Sequence, residues 1–159
     1  MTTTDISFDD PTLPPREIAE RLLESTGRGL TEDRFDLFQT CFSIPTRIET
    51  FEASRDITTE AELRQLFENV RQYNASLGVT HLDRRCIEAA MSGSDRLSFT
   101  HETRLLSRSR LVQDPYPVFS DAVFSEGFWR IIRSSYAIVH EPRHAKALTG
   151  QGRESRYEG

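Results

Sequence analysis

Hydrophobic residues recur at helical spacing in three stretches of the first half of the chain. The first helix is predicted to begin near Pro15, because a proline at the first helical position has no amide hydrogen to satisfy. Gly27 and Gly29 are predicted to end it. A short second helix is expected after Thr31, which would act as its N-cap, and it carries a buried stripe that begins at Phe35.

The third helix has the clearest start signal. Thr59 and Glu62 have the spacing of a capping box, in which the threonine oxygen accepts from a backbone amide and the glutamate reaches back. Apolar residues then repeat at helical spacing until Gly78 supplies a stop. The segment Ser43–Ile57, before this helix, contains Pro45 and β-branched residues and is predicted to form a short hairpin or an irregular strand pair.

From Val79 onward the hydrophobic period changes to two, which is typical of strands with one buried face. Four strands are predicted, approximately at His81–Met91, Arg96–Arg110, Val118–Phe124 and Phe128–Val139. Three helices and a hairpin followed by a four-stranded meander predict an α+β domain, with the three N-terminal helices packed on one face of a curved, mixed or antiparallel sheet.

The length of 159 residues suits one domain. We expect a flexible lead over residues 1–13, a single domain over residues 14–141, and a flexible polar tail over residues 142–159. The acidic N-terminus lacks a basic region followed by an apolar one, and Cys41 and Cys86 lack metal-type spacing. These features predict a cytoplasmic protein with reduced thiols.

The formal net charge of −5 argues against nucleic-acid binding, and the sequence has no apolar run of membrane-spanning length. The charge is uneven, because 15 acidic residues face 8 basic ones in residues 1–80, whereas 10 face 12 in residues 81–159. The arginines of the second half are consistent either with ion pairs on a solvated sheet face or with an anionic ligand.

The stretch "SGSDRLSFTHETRLL" places a histidine on the predicted buried side of a strand that begins with Leu97 and Phe99. A three-residue turn, Ser92-Gly93-Ser94, would pair Arg85 with His101 and Asp83 with Thr103. A slip of one residue would mix the apolar and polar faces, and a slip of two would keep the faces but move Ile87 opposite His101.

In this register His101 and Asp83 are candidate catalytic residues, with the aspartate orienting the imidazole and raising its pKa for general-base chemistry. Arg85 is a candidate for binding a carboxylate or a developing oxyanion, and Thr103 lies beside it. The alternative interpretation is a structural polar pair near the rim of the sheet. No metal motif is found, since "THET" lacks the second histidine of a zinc site, and no cofactor is expected.

The element order, together with "LTEDRFDLFQTCF", "SRDITTEAELRQLFENVR" and "SEGFWRIIRSSY", resembles the nuclear transport factor 2-like (cystatin-like, polyketide cyclase/ketosteroid isomerase-type) superfamily over approximately residues 15–140. The resemblance implies a conical pocket between sheet and helices. It adds Tyr73, Tyr136 and Trp129 as candidate ligand-binding residues, of which Trp129 is most simply a core residue. It also implies a homodimer formed through the outer sheet face, which in this chain is charged.

Two functions follow as hypotheses. One is a cofactor-independent lyase- or isomerase-like enzyme acting on a small hydrophobic or anionic molecule, with His101 as general base. The other is a noncatalytic ligand-binding or assembly module, for example like the small subunit of an aromatic-ring dioxygenase, which "DRFDLFQTCFSIPTR" resembles. A catalytic pocket requires an inward-facing imidazole, whereas an assembly subunit can fill its cone with side chains.

Overall fold

A computed structural model describes residues 13–150 of the chain. Its helices are α1 (Pro15–Glu32), α2 (Phe35–Gln39), α3 (Glu60–Ser76) and α4 (Pro142–Thr149). Its strands are β1 (Phe42–Glu49), β2 (Ser54–Ile57), β3 (His81–Met91), β4 (Arg96–Ser107), β5 (Arg110–Leu111), β6 (Tyr116–Ser125) and β7 (Phe128–Tyr136). Apart from residue 13, the predicted N-terminal lead lies outside the described residues.

The strands form one mixed sheet in the order β2-β1-β7-β6-β4-β3, with the short β5 paired to β4. The meander of β3, β4, β6 and β7 is antiparallel throughout, and β1 runs parallel to β7. The α+β class and the four-stranded meander are therefore confirmed. Buried and exposed positions alternate along β4 and β6, so one face of the sheet is covered and the other is open.

The core fills the space between the covered sheet face and the helices. Phe35, Phe38 and Phe67 pack edge to face or tilted, with ring centroids 5.1–6.4 Å apart. From the sheet side come fully or nearly fully buried residues that include Ile48, Leu97, Phe99, Val118, Ala122 and Trp129. Burial of these side chains is the main source of stability of such a domain.

The predicted end of the first helix at Gly27 and Gly29 is wrong, because α1 continues to Glu32. Gly29 is in the helix for a packing reason: a Cβ there would lie 2.9 Å from the backbone nitrogen of Phe38. The helix instead ends at Asp33, in the left-handed region at φ 57°. Thr31 is therefore a helical residue rather than an N-cap, and its hydroxyl donates to the Gly27 carbonyl at 3.0 Å.

The elements around the third helix agree with the sequence patterns. β1 and β2 form the predicted hairpin, with Thr46 paired to Ile57. Thr59 caps α3 by accepting from the Glu62 amide at 3.1 Å. The Glu62 carboxylate reaches back to the amide of Thr58 at 2.8 Å, one residue before the N-cap.

The C-terminal boundary differs from the prediction. The last strand ends at Tyr136, and residues 142–149, expected in a flexible tail, form helix α4. Pro142 begins this helix, a position where proline is tolerated because its missing amide hydrogen would have no helical partner. Two residues of this helix, His144 and Leu148, are buried against the rest of the domain, so the domain includes α4. Residues 151–159 lie outside the described part.

Candidate functional site

The β3–β4 hairpin has a different register from the predicted one. Near its turn Ala89 pairs with Phe99, a shift of two residues from the predicted partner Leu97. The register then changes by one residue between Cys86 and Glu88, so Cys86 lies opposite His101. This irregularity is a β-bulge at Ile87, whose side chain is exposed.

The bulge is held from α1. The guanidinium of Arg16 donates to the carbonyl oxygens of Cys86 at 2.6 Å and Ile87 at 3.0 Å. Because side chains alternate along a strand, the extra residue exchanges the two faces of β3 beyond it. Arg84 thereby lies on the covered face, opposite Thr103.

The predicted catalytic pair is wrong for the same reason. Asp83 and Arg85 lie on the open face, where Asp83 is opposite Arg104 and forms an ion pair with Arg85 at 3.7 Å. Asp83 therefore cannot orient the imidazole of His101, and Arg85 cannot bind a ligand in the cone.

Pairing across the sheet gathers the polar side chains of the covered face into a band. One row contains Arg84, Thr103 and Tyr116, and the next contains His101, Val118 and Tyr136. A third row joins Phe99, Ser120 and Ser134. Rows of mainly apolar side chains lie on both sides: Leu82 with Leu105, and Met91 with Leu97, Ala122 and Ile131.

The polar band faces a cavity of about 50 Å³ between the sheet and the helices. Its polar lining includes Arg84, His101, Thr103, Tyr116, Ser134 and Tyr136. Apolar side chains that include Leu66, Val70, Leu105 and Val118 form the rest of the wall. Within residues 13–150 no aspartate or glutamate lines this cavity.

His101 is 3% exposed and faces the cavity, as its position on β4 predicted. Neither ring nitrogen has a hydrogen-bond partner within the described residues. Desolvation, and secondarily the nearby Arg84 cation, hold the pKa of His101 well below its usual value. The imidazole is thus neutral, with one donor and one acceptor available.

Among the described residues that line the cavity, Arg84 has the one cationic side chain. Its Nη1 donates to the Leu23 carbonyl at 3.1 Å and to the Thr26 hydroxyl oxygen at 2.7 Å. Within residues 13–150 no carboxylate lies within ion-pair distance of it. Burial lowers its pKa, but a guanidinium remains charged.

The tyrosines on the sheet add hydroxyl groups to the band. Burial raises the pKa of both Tyr116 and Tyr136, so both phenols stay protonated at neutral pH. The Tyr116 hydroxyl interacts with Thr103. Thr103 and Tyr136 line the cavity, and their role in ligand binding stays a prediction.

The two remaining predicted binding residues lie away from the cavity. Trp129 is fully buried and packs on Phe124 with ring centroids 5.4 Å apart, which makes it a core residue. Tyr73 donates to Gln113 at 2.7 Å and stacks on His144 at 4.4 Å. It fixes α4 against α3 and does not line the cavity.

Arg84 is the charged cavity residue that the sequence patterns missed. A signal for it was present in β3, where Leu82 and Cys86 are apolar at even positions and Ala89 and Met91 at odd positions. Such a change of parity within one strand marks a bulge. A strict alternation over the whole strand placed Asp83 and Arg85 inward instead.

Among residues 13–150, no group of three or more His, Cys, Asp and Glu side chains is arranged to hold a metal ion. No helix in this part of the chain is long and apolar enough to cross a bilayer.

Comparison with known proteins identifies the fold. No protein-family model and no curated protein matches the sequence. Among solved structures, a cystatin-like domain of unknown function from Nostoc punctiforme is similar at a TM-score of 0.63 and 11% identity, with 92% of this chain and 94% of that chain covered. A nuclear transport factor 2-like protein of unknown function from Shewanella oneidensis gives a TM-score of 0.60 and 10% identity, with 76% and 96% covered.

A provisionally named aromatic ring hydroxylase from Novosphingobium aromaticivorans gives a TM-score of 0.55 and 13% identity, with 79% of this chain and 89% of that chain covered. The likeness extends over most of each chain, and at these identities it is a likeness of fold. The chain has the nuclear transport factor 2-like, or cystatin-like, fold.

Proposed function

We propose that this protein is a noncatalytic binding module that holds a small molecule in its cone and releases it unchanged. The observation that carries the proposal is His101, which is buried, faces the cavity and has no hydrogen-bond partner at either ring nitrogen among the described residues. Buried polar groups are normally satisfied, and an unsatisfied one costs about 1–3 kcal/mol. A ligand that bonds to the imidazole removes that cost.

The composition of the cavity favours binding over acid–base catalysis. A general base near neutral pH needs a pKa close to the working pH, whereas burial and Arg84 depress the pKa of His101. Asp83 lies on the other face of the sheet, and no carboxylate among residues 13–150 lines the cavity to replace it. These observations argue against the lyase- or isomerase-like hypothesis.

A thermal-shift panel of small molecules tests the proposal, with wild type compared with His101→Ala. We expect at least one compound to raise the melting temperature of wild type and to lose much of that effect in His101→Ala. His81→Ala is the matched control, because His81 is an exposed residue at the start of β3. If no compound stabilises wild type, or both variants behave alike, the proposal is wrong.

We further propose that two copies associate through the open face of the sheet. That face carries acids and bases in cross-strand pairs, among them Arg133 with Asp121 at 3.1 Å and with Glu49 at 3.3 Å. Phe119 lies in its middle and is 45% exposed. A face with charges of both signs around an apolar centre is complementary to a second copy of itself in a two-fold dimer.

Light scattering coupled to gel filtration tests this interface. Wild type is expected at twice the mass of one chain, and Phe119→Glu at the mass of one chain. Phe51→Glu is the control, because Phe51 is 70% exposed but lies in the turn between β1 and β2. A wild-type monomer, or equal loss of dimer in both variants, would contradict the proposal.

A second candidate function is a subunit of a larger assembly. The likeness to the provisionally named ring hydroxylase favours it. In that case the chain would contribute an interface to a large iron-carrying partner and no site of its own. A Rieske-type oxygenase gene beside the gene for this chain, combined with a negative ligand panel, would support this function over the first.

A further inference from the structure

We infer that the ligand of the cone is a short-chain carboxylate, with its carboxylate bound between Arg84 and His101 and its aliphatic body against the apolar wall. The inference deepens the proposed binding function and rests on it. It names the chemical class of the ligand and the residues that select it.

The first step is the charge of Arg84. This cation lines the cavity, and within the described residues it has no carboxylate partner. Its hydrogen bonds to Leu23 and Thr26 are both made by Nη1, which leaves the N–H groups of Nε and Nη2 without a partner in residues 13–150. A charge taken out of water is costly unless a counter-charge is present. A bound anion supplies it.

The second step is the geometry of the free donors. The planar guanidinium presents parallel N–H groups that match the two oxygens of a carboxylate. His101 lies one inward position further along β4 from Thr103, the residue opposite Arg84. Its unpartnered N–H is a third donor toward the same cavity. Tyr136, in the row of His101, adds a protonated hydroxyl.

The third step is size. The cavity of about 50 Å³ is small and suits a molecule of a few non-hydrogen atoms. Propionate, with five non-hydrogen atoms, is of this size. The remaining wall, which includes Leu105 and Val118, is apolar and suits a short hydrocarbon body better than a second charged group.

An NMR titration of the whole chain tests the inference, with propionate, the neutral isostere propionamide, and sodium chloride as probes at matched ionic strength. Propionate is expected to shift backbone amides of β4 and β6 around the cavity and to saturate, with a dissociation constant at least tenfold below those of propionamide and chloride. Arg84→Met is expected to weaken propionate roughly ten- to hundredfold, because a hydrogen-bonded charge is lost, and to leave propionamide unchanged.

Arg85→Met is the matched control, since Arg85 is the next residue but lies on the open face, and it should bind propionate like wild type. Arg84→Lys keeps the charge without the planar guanidinium, and its affinity for propionate should lie between those of wild type and Arg84→Met. It replaces Arg84→Met as the test variant if Arg84→Met does not fold. Equal affinity for propionate and propionamide, or for propionate and chloride, would overturn the inference while the binding function stands. If none of the probes nor any compound of the thermal-shift panel occupies the cone, both are wrong.

Discussion

Arg84 places a cation on the covered face of the sheet. Its side chain is half-buried, and it has no carboxylate partner within residues 13–150. A charge that is partly removed from water and has no counter-charge reduces stability. The ligand-free protein should therefore be less stable with Arg84 than with an apolar residue of similar shape.

Arg84→Met is accordingly expected to raise the free energy of unfolding of the ligand-free protein by about 1 kcal/mol, as apolar replacement of buried charge often does. Urea unfolding measures the change, and Arg85→Met, at an exposed site, should leave it nearly unchanged. A loss of stability in Arg84→Met larger than that in Arg85→Met would show that Arg84 is a structural residue of the α1–β3 contact.

At the residue scale, the sequence predicted the position of His101 but not the residues around it. The inward position of His101 followed from the alternation of β4, which is regular along the strand. Its partners did not follow, because a bulge of one residue at Ile87 exchanges the faces of β3. The bonds that hold this bulge come from Arg16, 70 residues earlier in the chain, and no local pattern encodes them.

At the scale of elements, the two glycines of α1 have different roles. A Cβ at Gly27 would lie 3.5 Å from the nearest atom outside the helix, Nη1 of Arg84, which is an ordinary contact. A Cβ at Gly29 would lie 2.9 Å from the backbone nitrogen of Phe38 and 2.9 Å from the carbonyl oxygen of Arg34. Gly29 thus permits α1 and α2 to approach closely.

Gly27→Ala is therefore expected to stabilise the protein by about 0.5–1 kcal/mol through helix propensity alone. Gly29→Ala should destabilise it by about 1–3 kcal/mol, because backbone atoms must move to relieve the clash. Thermal unfolding of the two variants gives the comparison. Equal changes in both, in either direction, would contradict the assignment of a packing role to Gly29.

Elements with local signals were predicted correctly, and those that depend on tertiary contacts were not. The Thr59 cap of α3 is a short-range hydrogen bond, and its sequence signal was sufficient. The end of α1 depends on the packing of α2, and α4 depends on burial of His144 and Leu148 against the rest of the domain. Glycine and proline patterns alone therefore placed both boundaries wrongly.

At the scale of the whole molecule, α4 covers the cone beside α3. Nδ1 of His144 accepts a hydrogen bond from the side-chain amide of Gln113 at 2.9 Å. The His144 ring contacts those of Tyr73 and Tyr116, with ring centroids at 4.4 and 5.1 Å. Arg143 lies over the ring of Tyr73, at 5.6 Å. Burial lowers the pKa of His144 to about 4, so the folded protein keeps this imidazole neutral.

Acidification is expected to loosen this contact. An unfolded histidine has a pKa of about 6.5 and binds a proton first, so the stability contributed by neutral His144 is complete above pH 6.5 and is lost as pH falls toward 4. The loss should reach about 2 kcal/mol near pH 4.5. His144→Asn cannot titrate there, and urea unfolding at pH 7 and 4.5 should show a smaller drop for it than for wild type.

His101 also lowers stability on acidification, because its pKa in the folded protein is depressed as well. The pH dependence of unfolding of His101→Asn is therefore a second comparison with wild type. An equal pH dependence of wild type and His144→Asn would contradict the role given to α4. The measurement also separates α4 from the carboxylates of the surface, which titrate identically in both proteins.

The covered face of the meander is inferred to enclose a cavity that accepts a short-chain carboxylate. Isotope-filtered NMR with ¹³C-labelled propionate tests it most directly, by detecting which protein protons lie near the ligand methyl group. We expect nuclear Overhauser effects to the side chains of Val118 and Leu105, abolished by excess unlabelled propionate. Effects confined to exposed side chains of the open sheet face, or none at all, would contradict it.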